Sequence, residues 1–244
     1  KNLPYIIIEG RNMVHDALVH GSSIQTVVFS MANRPDPRLQ EIEKLAKQKQ
    51  IPIKRISPRD LLELSDSPNQ GVVALMDLPS VPTLEEILRT KTNPLILLFG
   101  QIDYEQNLGA ILRSAWAAGA DAVVVNPSGV HEVTPVVAKV SMGGAAFVPL
   151  ISQSLFQSFK TLQDYAVPIV GVEVGMGKIY TDHKLTGPVA MVFGGEASDI
   201  SDPVKKYCDS FVNIPMENNA ASLNVSGATA LLLFERLRQI RQAQ

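Results

Sequence analysis

From residue 93 onward, the chain alternates largely apolar segments with segments of helical pattern. The predicted strands are Leu95–Phe99, Ala122–Val125, Phe147–Leu150, Val167–Glu173, Val189–Phe193 and Phe211–Ile214. Strands that are buried on both faces need no polar alternation, and the helices between them serve as the crossovers of a parallel sheet. This pattern predicts an α/β fold whose parallel sheet is covered by helices on both faces.

Residues 1–78 indicate a smaller α/β unit. Its predicted strands are Tyr5–Glu9, Thr26–Ser30, Ile53–Ile56 and Val72–Met76, and its predicted helices are 11–19, 36–48 and 58–64. Pro79 and Pro82 then interrupt the pattern, as expected for a linker, and one or two helical turns are predicted around Leu84–Leu88. The predicted division is therefore 1–78, a linker at 79–92, and 93–244.

Composition narrows the class of protein. With 244 residues, of which 45% are hydrophobic, the chain can bury a substantial core, and the net charge is −2. No apolar run approaches the roughly 18–20 residues of a membrane span, and Lys1–Gly10 lacks the long apolar stretch of a signal peptide. Cys208 is the only cysteine, and the four histidines have no metal-ligand spacing. We therefore expect a cytoplasmic protein, with no membrane partner and no metal.

A basic stretch lies in the N-terminal unit. Between Lys44 and Arg59 there are six basic residues and no acidic one. Such a run is usually a solvated surface, and the alternative is a surface that contacts RNA phosphates.

Two other classes of nucleotide-binding α/β protein are disfavoured. The first strand of residues 93–244 is not followed by the Gly-x-Gly-x-x-Gly loop of a Rossmann domain. The run Gly171–Lys178 is similar to a phosphate-binding P-loop, but its spacing is one residue too long. Ile179 also stands where that loop needs Ser or Thr.

The segment Ile214–Ser226 is the most distinctive part of the sequence. A strand end runs into Pro215, a polar loop follows, and an amphipathic helix is predicted to begin with Ser222 as its N-cap. Asn224 and Ser226 add two more hydrogen-bonding side chains to a segment that is otherwise apolar.

A second segment, Asn107–Gly119, follows the first predicted strand of the sheet. Asn107 suits an N-cap and Gly119 suits a left-handed helix end. The residues between them form an apolar stripe at helical spacing, and Arg113 lies off that stripe. The third segment, Val189–Glu196, is an apolar strand that ends in two glycines and a carboxylate, where a ligand can approach the backbone closely.

Together, these segments resemble, in the same order, the three motifs of the SpoU/TrmH family of RNA ribose 2′-O-methyltransferases in the SPOUT superfamily. Gly10–Leu18 and Asn69–Ala74 are similar to the N-terminal substrate domain of many members. The resemblance implies a C-terminal trefoil knot, preceded by a small L30e-like domain. It also implies a homodimer with interfacial active sites, an RNA substrate, and S-adenosyl-L-methionine as methyl donor.

The resemblance also implies the site residues. The catalytic candidates are Arg113, Asn107, Glu196, Ser222 and Asn224, and the cofactor-binding candidates are Gly194, Gly195, Ile214, Met216 and Leu223. The RNA-binding candidates are Arg11, Lys54 and Arg55. Arg113 has two possible roles: it activates the 2′-hydroxyl, or it remains cationic and stabilises charge on the phosphate and the developing alkoxide.

The chain departs from the family pattern in two places. Tyr104-Glu105 stand where many members have Asp-Pro, and Ala197 and Asp199 stand where glycines are usual. The motif residues are intact, so we expect 2′-O-methylation of a ribose in 23S-type ribosomal RNA. A tRNA substrate, or a non-catalytic role in RNA binding or ribosome assembly, is the alternative.

Overall fold

The structure, a computed structural model, describes residues 5–19, 23–65, 70–77, 81–196, 199–218 and 221–243. It contains two compact units, Lys1–Ser80 and Val81–Gln244, each with its own sheet. Asn69, Pro79 and Ala197 lie outside the described residues.

The first unit is built on a four-stranded mixed sheet. Its strands are β1 Tyr5–Glu9, β2 Ile24–Ser30, β3 Ile53–Ile56 and β4 Val72–Asp77, and its helices are α1 Arg11–Val19, α2 Pro37–Gln48 and α3 Pro58–Ser65. The order is β1-β4-β2-β3, with β4 antiparallel to both neighbours and β3 parallel to β2. Each predicted strand and helix of this unit is present, with ends that differ by at most two residues.

The second unit is built on a seven-stranded sheet in the order β7-β6-β5-β10-β8-β11-β9. Its strands are β5 Leu95–Phe99, β6 Ala122–Val125, β7 Leu150–Ser152, β8 Ile169–Val172, β9 Lys178–Ile179, β10 Val189–Phe193 and β11 Ser210–Asn213. Its helices are α4 Leu84–Thr90, α5 Glu105–Ala118, α6 Pro135–Val140, α7 Gly144–Phe147, α8 Leu155–Asp164, α9 Asp202–Lys205 and α10 Val225–Gln242. Every strand pair in this sheet is parallel, which confirms the predicted α/β class.

Helices cover both faces of this sheet, as predicted. Along β5, Leu95, Leu97 and Phe99 join a core with α5 and α10. The alternate residues Ile96 and Leu98 join a second core with α4 and α8. The helix α4 lies in the segment that was expected to be a linker, and its buried side chains belong to this second core.

The strand predicted at Phe147–Leu150 is wrong. Gly144–Phe147 form a helical turn, and pairing with β6 begins only at Leu150. Two tertiary contacts explain the difference. The Phe147 ring stacks on Trp116 of α5 with centroids 4.8 Å apart, and a Cβ at Gly144 would lie 2.4 Å from the Leu112 carbonyl oxygen. Close packing on α5 therefore overrides the apolar pattern.

Two predicted N-caps are also wrong. Helix α5 begins at Glu105, two residues before Asn107, and its N-cap Tyr104 makes no side-chain capping bond. Helix α10 is capped by Asn224, whose side chain accepts from the Ser226 N–H, and Ser222 lies in the preceding loop. The predicted end of α5 is confirmed, because Gly119 adopts φ 74°.

Helix α10 is tied to the loop that leads into β10. Arg236 is 6% exposed, and its guanidinium donates to the carbonyls of Leu185 and Gly187. Gln239 accepts from the Leu185 N–H at 2.9 Å and donates to the His183 carbonyl at 2.9 Å. These bonds place β10, whose carboxyl end forms part of the site described below.

Candidate active site

The carboxyl ends of the central strands surround a cavity of about 500 Å³. Its wall comes from the loops after β8, β10 and β11, from the start of α5, and from the segment that enters α10. Parallel α/β sheets bind ligands outside the carboxyl ends of their strands. The volume also lies within the roughly 300–1,000 Å³ that is typical of small-molecule sites.

All the catalytic and cofactor-binding candidates except Arg113 line this cavity. They are Asn107, Gly194, Gly195, Glu196, Ile214, Met216, Ser222, Leu223 and Asn224. Residues from three distant segments therefore meet in one place.

A chain of side-chain hydrogen bonds joins three of these residues. Asn107 donates through Nδ2 to Glu196 Oε1 at 2.8 Å, and it accepts through Oδ1 from Asn224 Nδ2 at 3.0 Å. Asn224 Oδ1 accepts from the backbone N–H of Ser226 at 2.9 Å and from its hydroxyl at 2.6 Å. Because a side-chain amide is a donor at one end and an acceptor at the other, Asn107 fixes two loops at once.

Glu196 has one satisfied oxygen and one unsatisfied oxygen. Its Oε1 also accepts from the Tyr104 N–H at 3.3 Å. Its Oε2 is buried, and it has no hydrogen-bond partner in the part of the chain that the structure describes. A buried acceptor without a donor is costly, so a ligand that donates to Oε2 would gain affinity.

An apolar wall faces these polar groups. It is formed by Val172, Phe193, Ile214, Met216 and Leu223. Phe193 is 3% exposed and stacks on Phe99 with centroids 5.0 Å apart, whereas Leu223 is 42% exposed. This wall suits a flat aromatic ring, with Leu223 at the open side.

The loops after β5 and β10 run in close contact. A Cβ at Gly100 would lie 3.0 Å from the Gly195 backbone nitrogen and 3.3 Å from the Gly194 carbonyl carbon. A side chain at position 100 would therefore displace the glycine loop that lines the cavity.

Glu173 lines the cavity but was not selected from the sequence, where it was taken only as a strand end. Its side chain is 6% exposed, Oε2 accepts from the Ile200 N–H at 3.0 Å, and Oε1 lies 3.9 Å from Lys205 Nζ. Burial raises the pKa of Glu173, the Ile200 amide and Lys205 lower it, and Asp199 raises it further. An acidic residue directly after an apolar strand is the sequence signal that would have indicated it.

The family model of the SpoU rRNA methylases matches residues 94–234, more than half of the chain. The chain belongs to the SpoU rRNA methylase family. A second model, for the RNA 2′-O ribose methyltransferase substrate-binding domain, matches residues 7–82. The family predicted from the three sequence motifs is thus confirmed.

Individual SpoU relatives match over nearly the full length. The 23S rRNA (guanosine-2′-O-)-methyltransferase RlmB of Pseudomonas putida is 35% identical over 95% of this chain and 96% of its own. A solved RNA 2′-O ribose methyltransferase is 31% identical, with a TM-score of 0.77 over 97% of this chain and 89% of its own. The SpoU methyltransferase AviRb of Streptomyces viridochromogenes, solved with AdoMet, has a TM-score of 0.79 over 99% of this chain and 92% of its own. Its identity is 24%, so that likeness concerns the fold.

In this SpoU protein, Arg113 stands apart from the cavity of its own chain. It is exposed on α5, and it forms no hydrogen bond or ion pair with any residue that the structure describes. It follows Asn107 by six residues, which places it about 9 Å further along the helix and about 240° around it. Asn107 and Arg113 therefore face different directions.

The N-terminal candidates have different surroundings. Arg11 pairs with Asp36 at 2.5 Å. Arg55 pairs with Glu43 at 2.7 Å and lies over the Phe29 ring, 5.3 Å from its centroid. Lys54 is exposed and has no such pair among the described residues. Within the basic stretch, Lys47, Arg55 and Arg59 each pair with a glutamate that lies outside it.

Among the residues that the structure describes, no helix combines the length and apolar character needed to cross a bilayer. The same residues contain no group of three or more His, Cys, Asp or Glu side chains that could hold a metal ion.

Proposed function

We propose that this SpoU family member transfers a methyl group from S-adenosyl-L-methionine to a ribose 2′-hydroxyl of 23S-type ribosomal RNA. The observation that carries the proposal is the hydrogen-bonded chain Glu196–Asn107–Asn224 in the wall of the cavity at the strand ends. These side chains belong to the three motifs, and a protein that only binds RNA would not need this hydrogen-bonded arrangement. The RlmB relative supports ribosomal RNA as the substrate.

The cavity fits the cofactor. Gly194 and Gly195 allow close approach to the backbone, and Ile214, Met216 and Leu223 provide apolar surface for the adenine. The unpaired Oε2 of Glu196 offers a buried acceptor. When bound, S-adenosylmethionine would supply a methyl group already made electrophilic by its sulfonium.

The protein then has to align the acceptor oxygen and stabilise the charge that develops on it. We assign alignment to Asn107, Ser222 and Asn224, and organisation of the loop to Glu196. We assign charge stabilisation to Arg113, whose guanidinium is exposed on α5 and would bind the phosphate next to the reacting ribose. Because Arg113 lies outside the cavity of its own chain, the proposal includes a homodimer in which Arg113 of one protomer serves the cavity of its partner.

The two units have different roles in this proposal. Residues 1–78, an L30e-like domain, select the RNA, and residues 93–244, with the C-terminal trefoil knot, carry out the transfer. Residues 79–92 connect the two, and their helix α4 packs in the core of the second unit. The substrate-binding match at 7–82 and the methylase match at 94–234 support this division. Of the three N-terminal candidates, Lys54 is exposed on β3 without an acidic partner among the described residues, whereas Arg11 and Arg55 each pair with one. The protein would act in the cytoplasm, where ribosomal RNA is modified and a lone cysteine stays reduced.

The test is transfer of labelled methyl from S-adenosylmethionine to purified 23S-type rRNA and to tRNA, followed by mapping of the modified ribose. We expect label in the rRNA at a single 2′-oxygen, and none with Asn107→Ala. Label confined to tRNA would refute the substrate. No label in either RNA, from a folded protein that binds neither the cofactor nor its demethylated product, would refute the enzymatic role.

A further inference from the structure

The cavity assigned to the cofactor is lined by acidic side chains without basic ones. Glu173, Glu196 and Asp199 contribute to its wall, and no lysine, arginine or histidine does so among the described residues. Lys205, 3.9 Å from Glu173, is the cation paired with this group, and it is not part of the lining. Three carboxylates with one paired cation leave the lining with an excess of negative charge, which favours a cationic ligand.

The ligand loses charge during the proposed reaction. S-adenosylmethionine carries a positive sulfonium, a positive ammonium and a negative carboxylate, and thus has a net charge of +1. When the ribose oxygen forms its bond to the methyl carbon, the carbon–sulfur bond breaks and sulfur keeps the electron pair. The hydroxyl proton passes to solvent. The product S-adenosylhomocysteine is a thioether with no net charge.

We propose that the acidic lining, with Glu173 as its buried member, makes the cavity select the cationic methyl donor over its product, which has no net charge. The inference rests on the proposed function and adds a mechanism for releasing the product. Once the sulfonium is gone, the attraction that held the donor is lost, and fresh S-adenosylmethionine displaces S-adenosylhomocysteine.

Glu173 is the member of the lining best suited to this selection. Its side chain is 6% exposed, so its interaction with a charge in the cavity is weakly screened by water. The bond from the Ile200 N–H holds Oε2 in place, so the carboxylate does not have to be ordered when the ligand binds. Asp199 is exposed, so its contribution is screened.

A different role for Glu173 would give a different result. S-adenosylmethionine and S-adenosylhomocysteine have the same ribose hydroxyls. If Oε1 accepted a hydrogen bond from one of them, removal of the carboxylate would weaken the binding of both ligands equally. An attraction to the ammonium, which both ligands also share, would likewise leave the ratio of the two affinities unchanged. Only attraction to the sulfonium, which the product lacks, changes that ratio.

The experiment measures both affinities by calorimetry at pH 8 and low salt for wild type, Glu173→Gln and Glu217→Gln. Glutamine keeps an acceptor for the Ile200 N–H, so the fold should be retained. We expect Glu173→Gln to weaken the binding of S-adenosylmethionine about tenfold, equivalent to about 1.4 kcal/mol. The affinity for S-adenosylhomocysteine should change less than about twofold. Glu217 is exposed and does not line the cavity, so its variant should leave the ratio unchanged.

The outcomes separate the two proposals. A wild-type protein that binds neither ligand refutes the cofactor assignment itself. A wild-type protein that binds both, with a ratio unchanged in Glu173→Gln, refutes the charge selection and leaves the function standing. If Glu173→Gln does not fold, Asp199→Asn replaces it. This variant should shift the ratio in the same direction by a smaller factor, and an unshifted ratio would again refute the selection.

Discussion

The side chain of Asn224 donates a hydrogen bond to that of Asn107 at 3.0 Å, across 117 positions of the sequence. Asn107 lies in the first turn of α5, whereas Asn224 caps α10. The bond thus connects the first and last motifs of the family, and the bond from Asn107 to Glu196 adds the middle one. The side-chain amide of Asn107 thus joins three segments that are far apart in the sequence.

This contact predicts coupling between the two asparagines. Asn107→Ala and Asn224→Ala should each lower the free energy of unfolding. The loss in the double variant should be smaller than the sum of the two single losses, and we expect this coupling to be about 0.5–1 kcal/mol. Urea denaturation of the four proteins measures the difference. Ser222→Ala provides a matched control, because Ser222 lines the same cavity without bonding to Asn107. The effects of Ser222→Ala and Asn107→Ala on the free energy of unfolding should be additive. Equal coupling in the two double-mutant cycles would contradict a specific bond between Asn107 and Asn224.

Leu223→Arg should abolish binding of S-adenosylmethionine. The longer side chain would extend over the apolar wall and bring a cation to the cavity proposed for a cationic ligand. Leu62→Arg is the control, because Leu62 is an exposed leucine of the other unit, 52% exposed against 42% for Leu223. Calorimetry should show a loss of at least about 100-fold, some 2.7 kcal/mol, for Leu223→Arg only. Normal binding by Leu223→Arg would mean that the cofactor lies elsewhere.

Much of the fold was predictable because local patterns decide it. The apolar run Leu95–Phe99 is a strand with both faces buried, and Gly119 ends α5 in the left-handed conformation that glycine adopts readily. Elements whose hydrophobic pattern agrees with their tertiary environment are the ones that a sequence specifies well.

The errors have tertiary causes. Phe147 is apolar enough for a strand, but its stacking on Trp116 places it in a helical turn. Ser222 and Asn224 are both good capping residues, and only the bond from Ser226 shows which one caps α10. Glu173 was missed because nothing local to the strand indicates that the Ile200 amide holds its carboxylate in a buried wall. The motif residues that line the cavity could be selected because the family resemblance carried information that periodicity lacks.

Two N-terminal truncations should differ in stability. A fragment 81–244 keeps α4, whose Leu84, Ile87 and Leu88 are at most 6% exposed in the core of the second unit. A fragment 93–244 removes that burial and should lose about 5 kcal/mol of unfolding free energy. Urea denaturation measures this difference. The longer fragment should still bind S-adenosylmethionine but methylate rRNA poorly, and undiminished methylation would contradict the role given to residues 1–78.

Glu173→Gln should stabilise the cofactor-free protein more at pH 7 than at pH 4. Burial raises the pKa of Glu173 in the folded chain above its ordinary value of 4.5. The folded state then holds the proton more tightly, so wild type loses stability as the pH rises from that ordinary value through the folded pKa. Glutamine does not titrate. Thermal denaturation should show a gap in Tm that widens with pH, and a gap that narrows would contradict the assigned direction. Glu217→Gln controls for loss of a surface carboxylate.

The proposed sharing of each active site between two protomers predicts complementation between two inactive variants. Arg113→Ala should fold and bind S-adenosylmethionine but be nearly inactive, because it removes charge stabilisation at the transition state. Leu223→Arg should be inactive because it holds no cofactor. In a heterodimer of the two, both lesions fall in one composite site, and the other site is whole. Methylation by purified heterodimers should therefore reach about half of the wild-type rate if the sites act independently.

The reverse arrangement of the same lesions provides the control. A heterodimer of wild type with a chain carrying both Arg113→Ala and Leu223→Arg has one lesion in each shared site, so it should be inactive. If each site lay within one chain, this heterodimer would keep half of the activity, and the single-lesion heterodimer would have none. The two preparations contain the same substitutions in the same number, so differences in folding or expression cannot reverse their order. A higher rate from the double-lesion arrangement would rule out an Arg113 that serves the cavity of the partner protomer.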